Sequence, residues 1–454
     1  MSGSAFPMAA PGKVYRERRA KLAKQLRRPL VLFAGHGQAR NYANNMYPFR
    51  AGSTYLYFGG VPIEHAVLII EPGSDGDEGC TFLRTALTHD DIVWMGPMPG
   101  DDAIAEATGL SRTRINDIER LADNMPGTMP AAIVPPCPQT IATAQRVGLE
   151  AASDDELRII VDMRLCKDEH ELAAMRRAAA VSIEAHRAAM ANTKPGRREA
   201  DVAAAFAQVM VAHQCSHSFS PIITIHGEIL HAHGHPHPLE AGQLLVADAG
   251  VQEPCGYASD ITRTYPVNGK WTDIQRVLYT TVVRANRETT AQSKPGVRYR
   301  ELHDLAGRII CEGLVEAGLL KGNPAELAER RAHTLFFTHG LGHLLGLDVH
   351  DMEDFDDLAG YAPGRTRRPA FGDKFLRLDR DLAPGIAFTI EPGLYIVPAI
   401  WQSAEMVAPF ADVVVREKID ALVEGHFGGI RVENTIVVRD SGGPEVLGAE
   451  LPMD

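Results

Sequence analysis

The chain has 454 residues, of which 45% are hydrophobic and 23% are charged. Lysine and arginine together number 46, against 58 aspartate and glutamate residues, which gives a net charge of −12. This composition is typical of a globular protein, and at about 150 residues per domain the length predicts two or three domains. An acidic chain without a long basic run lacks the positive surface that nucleic-acid binding requires, so we expect no nucleic-acid partner.

The N-terminal sequence MSGSAFPMAAPGK contains no basic segment followed by an apolar one, and the chain has no run of about 18 apolar residues. We therefore expect a soluble, unexported, cytoplasmic protein that does not interact with a membrane. Its six cysteines are scattered without a CxxC pair, which is typical of reduced thiols in such a compartment.

The first 150 residues alternate helical and strand patterns, which is typical of an α/β domain. We predict a helix over residues 15–26, followed by strands in LVLFAG, TYLYFGG and AVLII. Five prolines from Pro126 to Pro138 favour a surface connection over a core element. We place a domain boundary near Cys166, which gives one domain of residues 1–165 and a second of residues 166–454.

The second domain begins with a long helix and contains a repeated motif. From Asp168, apolar or neutral residues recur at spacings of three and four, which places them on one helical face. Lys-Pro-Gly follows at residue 194 and again at residue 294, after a helix that opens with the capping-box pattern Thr272-Asp-Ile-Gln275. This displacement of 100 residues predicts two related halves. Chance is the alternative, because Lys-Pro-Gly is a common way to end a helix.

Four carboxylates lie inside apolar runs that are typical of buried strands. They are Asp248 in QLLVADAG, Asp260 in YASDITRTYPV, Glu391 in FTIEPGLY and Glu433 in GGIRVENTIVV. A buried carboxylate is costly unless it is paired or binds a metal ion. A structural alternative, with one aspartate at a strand end and one capping a turn, explains the first two only. Arg431 supplies one positive charge, so the set as a whole requires more.

The segment HGLGHLLGLDVHD supplies imidazole nitrogens. Its H-x-x-x-H spacing is that of a helical zinc motif, but the glutamate of that motif is absent and Gly340 and Gly342 separate the histidines. Each glycine costs a helix about 1 kcal/mol, so we predict a turn or bend here. Four carboxylates and one imidazole match two divalent cations, which together can hold a hydroxide and polarise a carbonyl group. Oxygen-dominated ligation favours Mn²⁺.

In their order along the chain, these segments resemble the pita-bread metallopeptidases that cleave Xaa-Pro bonds, the family of prolidase and aminopeptidase P. The resemblance runs from about residue 168 to the end, and YPFRAGSTYLYFGG is similar to the smaller first domain of the same proteins. It implies a small α/β, creatinase/aminopeptidase P-like N-terminal domain and a pita-bread catalytic domain, an α+β fold with pseudo-two-fold symmetry. It also implies two divalent metal ions, Mn²⁺ ahead of Co²⁺ or Zn²⁺, and a small peptide substrate with proline at its second position.

By this resemblance, Asp248 binds one metal ion, Asp260 and Glu433 bridge the two, and His343 and Glu391 complete the other. Glu391 is also the expected proton shuttle, because cleaving an amide requires a proton to leave water and another to reach the nitrogen leaving group.

His231 in EILH and His350 in LDVHD fall on the family's substrate-contacting histidines, and Arg431 on its arginine behind the metal ligands. Arg431 and Glu433 share one face of a strand, which agrees with that placement. Phe219 stands where the family usually has a tyrosine, so a phenolic hydroxyl of the catalytic step would be absent. We interpret the nearby histidines as loop residues near the pocket mouth: His226, His233, His235 and His237.

Arg377 lies fourteen residues before Glu391, where prolidases resemble one another in having an arginine that grips the dipeptide carboxylate. We therefore predict an Xaa-Pro dipeptidase, with aminopeptidase P acting on longer peptides as the alternative, which the YPFR segment favours. A solvated surface arginine is the structural alternative for Arg377, and we interpret the acidic stretch 351–357 as a solvated loop. A pita-bread protein that only binds other proteins is disfavoured, because all five metal ligands are present. A homodimer is expected from the resemblance and from the apolar TYLYF segment.

Overall fold

The computed structural model describes residues 5–127 and 129–453, which form two compact units. The first contains the described chain up to Arg164, together with Glu169–Ala174 and Pro254–Gly256. The second contains Leu165–Asp168, Met175–Glu253 and the chain from Tyr257 onwards. Among the described residues, no helix is both long enough and apolar enough to cross a membrane.

The first unit is built on a six-stranded mixed sheet of order β4-β3-β2-β1-β5-β6. Its strands are β1 (Leu30–Phe33), β2 (Val67–Ile70), β3 (Cys80–Arg84), β4 (Ile115–Asp117), β5 (Ala131–Ile133) and β6 (Glu150–Ala151). Its helices are α1 (Gly12–Ala23), α2 (Ser53–Gly59), α3 (His89–Met95), α4 (Asp101–Thr108), α5 (Pro138–Arg146) and α6 (Asp154–Leu165). β1 pairs antiparallel with β2 and parallel with β5, and all four residues of β1 are buried, which explains its continuous apolar run.

The strand predicted in TYLYFGG is wrong, because this segment forms helix α2. Residues Thr54–Phe58 are all buried, and the hydroxyl of Tyr57 donates a hydrogen bond to the carbonyl of Met163 at 2.7 Å. Aromatic residues favour strands only when they pack on a sheet surface, so tertiary packing overrides the local preference here. The surface connection predicted at Pro126–Pro138 is also wrong in part, since β5 lies within it. Proline is tolerated next to a strand, and Pro130 and Pro135 lie outside β5.

The second unit contains the repeat. Its helices are α7 (Glu169–Asn192, which belongs to this unit from Met175 onwards), α8 (Glu199–Ala212), α9 (Asp273–Gln292), α10 (Tyr299–Glu316), α11 (Pro324–Glu329), α12 (Asp357–Gly360), α13 (Pro398–Gln402), α14 (Ala404–Val407) and α15 (Arg416–Glu424). Its strands are β7 (Ser216–His217), β8 (Ile222–Thr224), β9 (Leu244–Ala249), β10 (Val251–Gln252), β11 (Ile261–Pro266), β12 (Ala387–Ile390), β13 (Gly393–Tyr395), β14 (Gly429–Arg431), β15 (Asn434–Val437) and β16 (Glu445–Leu447).

Each half of the repeat has the same backbone at its Lys-Pro-Gly turn. Gly196 and Gly296 have φ angles of 85° and 84°, in the left-handed region that glycine adopts without a Cβ penalty. Gly196 N–H donates to the carbonyl of Leu239 at 3.0 Å, and Gly296 N–H donates to that of Leu382 at 2.8 Å. The turn therefore anchors the pair α7 and α8 to the chain that leads into β9, and the pair α9 and α10 to the chain that leads into β12.

Each half also supplies a three-stranded sheet, β8-β9-β11 in the first and β12-β15-β16 in the second. The two sheets meet where Thr262 of β11 forms an isolated bridge with Glu433, the residue before β15. Strand ends from both halves therefore converge on one place.

The capping box at the start of α9 allows a direct test of helix stability. Thr272 accepts a hydrogen bond from the N–H of Gln275, whose side chain accepts one from the N–H of Thr272. Thr272→Ala should therefore lower the free energy of unfolding by about 1 kcal/mol in urea titrations. Thr280→Ala, at an exposed position inside the same helix, is the matched control and should have little or no cost. Equal losses for both variants would contradict the capping role.

The TYLYF segment cannot serve as a dimer surface, because it is buried within its own chain. Four consecutive apolar residues of α3, Ile92–Met95, are instead exposed, with Trp94 at 86%. Exposed apolar surface of this kind usually marks an interaction site. We still predict a homodimer, and Trp94→Glu should reduce its association constant in light scattering as concentration is varied. A wild-type particle of the 49.4 kDa monomer mass at micromolar concentration would contradict the prediction.

Candidate active site

The four predicted carboxylates come together where the two sheets meet. Asp248 lies in β9 opposite Thr262, and Asp260 immediately precedes β11. Glu391 follows β12, and Glu433 precedes β15. All are buried except Glu391, whose side chain is 17% exposed. The convergence of strand ends from both halves thus explains why residues 248 to 433 form one cluster.

His343 completes this cluster. Its Nε2 lies 3.5 Å from Oδ2 of Asp260 and 3.5 Å from Oε1 of Glu391. Its Nδ1–H donates to the carbonyl of Leu344 at 3.0 Å, which leaves Nε2 as a free acceptor or ligand. The predicted turn is confirmed, because residues 339–343 are neither helix nor strand. A Cβ at Gly342 would lie 2.1 Å from the carbonyl oxygen of Thr389, so glycine allows this segment to approach β12 closely.

The donor set fits divalent cations. Ligand atoms of Asp260, His343 and Glu433 all lie within 4.8 Å of one another. One carboxylate oxygen each of Asp248, Asp260 and Glu433 is buried without a hydrogen-bond partner. Unsatisfied buried oxygens are costly, and oxygens of this kind are the ligands that hard cations bind.

The pKa values of three of these carboxyls are raised, which indicates the same shortage of positive charge. Burial raises the pKa of Asp260 well above its usual range, and the neighbouring Asp248 raises it further. Burial and then Asp260 raise the pKa of Glu433 in the same way. Burial raises the pKa of Glu391 to about 7, against the opposing charges of His343 and Arg431. A bound cation would relieve this repulsion.

Arg431 lies in the cluster as expected. Through Tyr395 it is also linked to His339, and no role for either of these two residues was predicted from the sequence. The guanidinium of Arg431 donates to Asp248 at 2.5 Å and to the hydroxyl of Tyr395 at 2.8 Å. The same hydroxyl lies 2.8 Å from Nε2 of His339. Burial lowers the pKa of His339 to about 3, and Arg431 lowers it further, so this ring is neutral. Tyr395 lies four residues after Glu391 in FTIEPGLY, and His339 is the first histidine of HGLGH, so both motifs carried a signal.

A cavity of about 800 Å³ opens beside the cluster. The predicted residues Phe219, His231, His350 and Arg377 all line it. His233, interpreted above as a loop residue near the mouth, lines it too. His226 instead lies 3.0 Å from a carboxylate oxygen of Glu228, and the ring of His235 lies 3.2 Å from the carbonyl oxygen of Ile223. His237 contacts the ring of His226.

Arg377 is paired with an acidic residue of its own chain. Its guanidinium contacts one carboxylate oxygen of Glu353, and Nδ1 of His350 lies 2.7 Å from the other. Partial burial raises the pKa of Glu353, but these two hydrogen bonds outweigh it and lower the pKa to about 2. Glu353 is therefore ionised at neutral pH. The solvated loop predicted over 351–357 is wrong in part, because Asp351 is also buried in an ion pair with Lys167 at 2.7 Å.

Residues 173–440 match metallopeptidase family M24, and residues 15–132 match the N-terminal domain of aminopeptidase P. The first match covers more than half of the chain, so the chain belongs to metallopeptidase family M24. The family resemblance and fold class predicted from the sequence are confirmed. Membership of a metallopeptidase family implies bound divalent metal ions, which agrees with the donor set above.

Among its relatives, the chain is 30% identical over 448 residues to Xaa-Pro aminopeptidase of Escherichia coli strain K12, covering 94% of this chain and 92% of that protein. It is 35% identical over 297 residues to Xaa-Pro dipeptidase of Homo sapiens, covering 62% of this chain and 57% of that protein. The solved structure of Pseudomonas aeruginosa aminopeptidase PepP matches with a TM-score of 0.79 at 28% identity, covering 98% of this chain and 96% of that chain.

Proton competition with metal binding can be measured through thermal stability. The pKa of Glu391 is about 7 when folded, against an ordinary value of 4.5, so the metal-free folded protein binds more protons than the unfolded chain between these values. This group therefore costs stability as pH rises through that window. Because metal ligands must be deprotonated, Mn²⁺ should raise the melting temperature of the EDTA-treated protein more at about pH 8 than at about pH 5.5.

Asp260→Asn is the control for this experiment, since it removes a ligand from the cluster at nearly constant size. This variant should lose most of the Mn²⁺-dependent rise in melting temperature. An equal rise at both pH values, or an unchanged rise in the variant, would contradict the assignment of the cluster.

Proposed function

We propose that this protein is an aminopeptidase of the aminopeptidase P type, which releases the N-terminal residue from peptides with proline at the second position. The carrying observation is that Arg377, which lines the cavity, is paired with Glu353. The relative that matches nearly the whole chain, an Xaa-Pro aminopeptidase, supports the same choice. This is the alternative of the two activities weighed from the sequence.

In this proposal, two divalent ions are held by Asp248, Asp260, His343, Glu391 and Glu433. Bound there, they would supply Lewis-acid polarisation of the scissile carbonyl and a water of lowered pKa. The oxygen-rich donor set favours Mn²⁺.

The protein's own groups handle the protons and the orientation of the cluster. Glu391 is the proton shuttle, because its partly exposed side chain reaches the cavity. Arg431 holds Asp248 in place through a charge-assisted hydrogen bond, and Tyr395 fixes Arg431 from the other side. His231 and His350 line the cavity where a peptide would lie, so we assign them to substrate contact.

The charge of Arg377 decides between short and long substrates. A dipeptide carries its free carboxylate one residue beyond the cleaved bond, whereas a longer peptide has an uncharged amide there. If no carboxylate of the protein balanced the charge of Arg377, this charge would favour binding of the dipeptide. The ionised Glu353 already balances that charge, so a substrate carboxylate can only replace one carboxylate by another.

Such an exchange gives little discrimination. The side chains of Arg377 and Glu353 are 39% and 37% exposed, and an ion pair of this exposure is worth about 0–1 kcal/mol. Breaking it costs little, and the new pair gains little. We therefore expect no strong preference for a free carboxylate at this position.

The second candidate, the Xaa-Pro dipeptidase favoured from the sequence, rests on Arg377 lining the cavity and on the 35% identity to the human dipeptidase. It predicts that Arg377→Ala reduces cleavage of Ala-Pro far more than cleavage of Ala-Pro-Ala. A truncated charged pair typically costs about 2 to 5 kcal/mol of binding, so the selective loss would be at least about 30-fold.

We expect the Mn²⁺-loaded wild type to have a higher kcat/KM for Ala-Pro-Ala than for Ala-Pro. Arg377→Ala should lower both values by similar factors. Glu353→Gln should shift the ratio towards the dipeptide, because it removes the charge that balances Arg377. Steady-state kinetics on the two peptides measures all three effects.

Asp356→Asn is the matched control, since it removes one acidic charge three residues from Glu353 at an exposed position. Asparagine has nearly the same shape as the aspartate that it replaces at this position. The control should leave the ratio unchanged. A wild type that prefers the dipeptide, together with a selective loss in Arg377→Ala, would decide for the dipeptidase.

A further inference from the structure

Helices α7 and α9 each bury a polar side chain that hydrogen-bonds the backbone next to the site carboxylates. On α7 this residue is His186, 0% exposed, and on α9 it is Asn286, 1% exposed. They are 100 residues apart, as are Gly196 and Gly296 of the Lys-Pro-Gly turns. His186 and Asn286 therefore occupy corresponding positions in the two halves.

His186 contacts the backbone next to the carboxylates of the first half. Its Nε2–H donates to the carbonyl of Ala249 at 3.0 Å. Ala249 follows Asp248 and pairs across the ladder with Ile261, the residue after Asp260. Nδ1 of His186 is buried without a hydrogen-bond partner, and burial lowers the pKa of the ring to about 4, so His186 acts as a neutral donor.

Asn286 contacts the backbone next to the carboxylates of the second half, through two hydrogen bonds. Its Nδ2 donates to the carbonyl of Ile390 at 2.8 Å and to the carbonyl of Val432 at 3.1 Å. Ile390 precedes Glu391, and Val432 precedes Glu433. One amide group thus joins the two strand ends that present these glutamates.

We propose that His186 and Asn286 are a matched pair of positioning residues, each of which fixes the backbone beside the two carboxylates of its own half. The inference rests on the metal centre proposed above. Neither side chain lines the cavity, so neither is a catalytic residue. Their role follows from the charge of the site: four carboxylates that repel one another need a backbone that does not yield before cations bind.

The test measures Mn²⁺ affinity of the metal-stripped protein by calorimetry, together with kcat and KM on Ala-Pro-Ala. Asn286→Leu keeps the number and branching of the side-chain heavy atoms but removes both donors, and should weaken Mn²⁺ binding about 10- to 100-fold and lower kcat with little change in KM. His186→Leu should do the same. Exchanging the two residue types, in Asn286→His and His186→Asn, keeps a donor at each site and should restore part of the affinity.

Thr289→Val is the matched control for a loss of stability alone. Thr289 is fully buried on α9, but its hydroxyl donates only to carbonyls of its own helix, those of Ala285 and Asn286. At a similar drop in melting temperature, this variant should keep the wild-type Mn²⁺ affinity. If Asn286→Leu does not fold, Asn286→Ser takes its place, because serine is too short to join both carbonyls.

Each outcome decides the inference. Wild-type Mn²⁺ affinity in the folded Asn286 and His186 variants, or an equal loss in Thr289→Val, would overturn the positioning role while the metal centre stands. A wild type that binds no Mn²⁺ would overturn the metal centre and this inference with it. A loss confined to the Asn286 and His186 variants, with partial rescue by the exchanged residues, is the expected result.

Discussion

Four largely buried carboxylates, held together where two sheets meet, are the constraint around which the second unit is organised. Among the described residues, the guanidinium of Arg431 lies 2.5 Å from Asp248, and the imidazole of His343 lies 3.5 Å from both Asp260 and Glu391. Burial raises the pKa values of three of these acids, so the protein alone does not satisfy them. Such a cluster persists only if the surrounding backbone enforces it, and in our proposal bound cations relieve its repulsion.

The two-fold repeat provides the backbone that holds the four carboxylates together. Each half contributes a helix pair, a Lys-Pro-Gly turn and a three-stranded sheet, and each sheet brings two acids to the same place. Further hydrogen bonds hold the cluster from within: Thr262 donates to Glu433 at 2.7 Å, and Thr389 accepts from the N–H of His343 at 3.1 Å. Both threonines are fully buried, so these bonds are protected from competition by water.

Much of this arrangement could be read from the sequence, because it is encoded in local patterns. Acids inside apolar runs predicted buried strands, and the two glycines of HGLGH predicted a turn at His343. The Lys-Pro-Gly turns predicted two halves. The features that the sequence predicted wrongly, or did not predict, depend on packing between distant segments. TYLYF became a helix because its aromatic residues are buried on several sides, and no spacing rule placed Tyr395 against both Arg431 and His339, which lie 36 and 56 residues away.

The distinction between local patterns and contacts across distant segments also separates the proposed metal ligands from the proposed substrate selectivity. The proposed metal ligands lie at strand ends and at a turn, so the motifs that predict strands and turns also predict the ligands. In the proposed function, substrate length depends on whether the charge of Arg377 is balanced, and Glu353, which balances it, lies in a short 3₁₀ helix. An arginine at the expected spacing therefore indicates a cation in the cavity wall, but its net charge is set by a neighbour 24 residues away. In the proposed aminopeptidase, a partly exposed pair worth no more than about 1 kcal/mol limits the change in preference from one substitution at position 353 to about 5-fold.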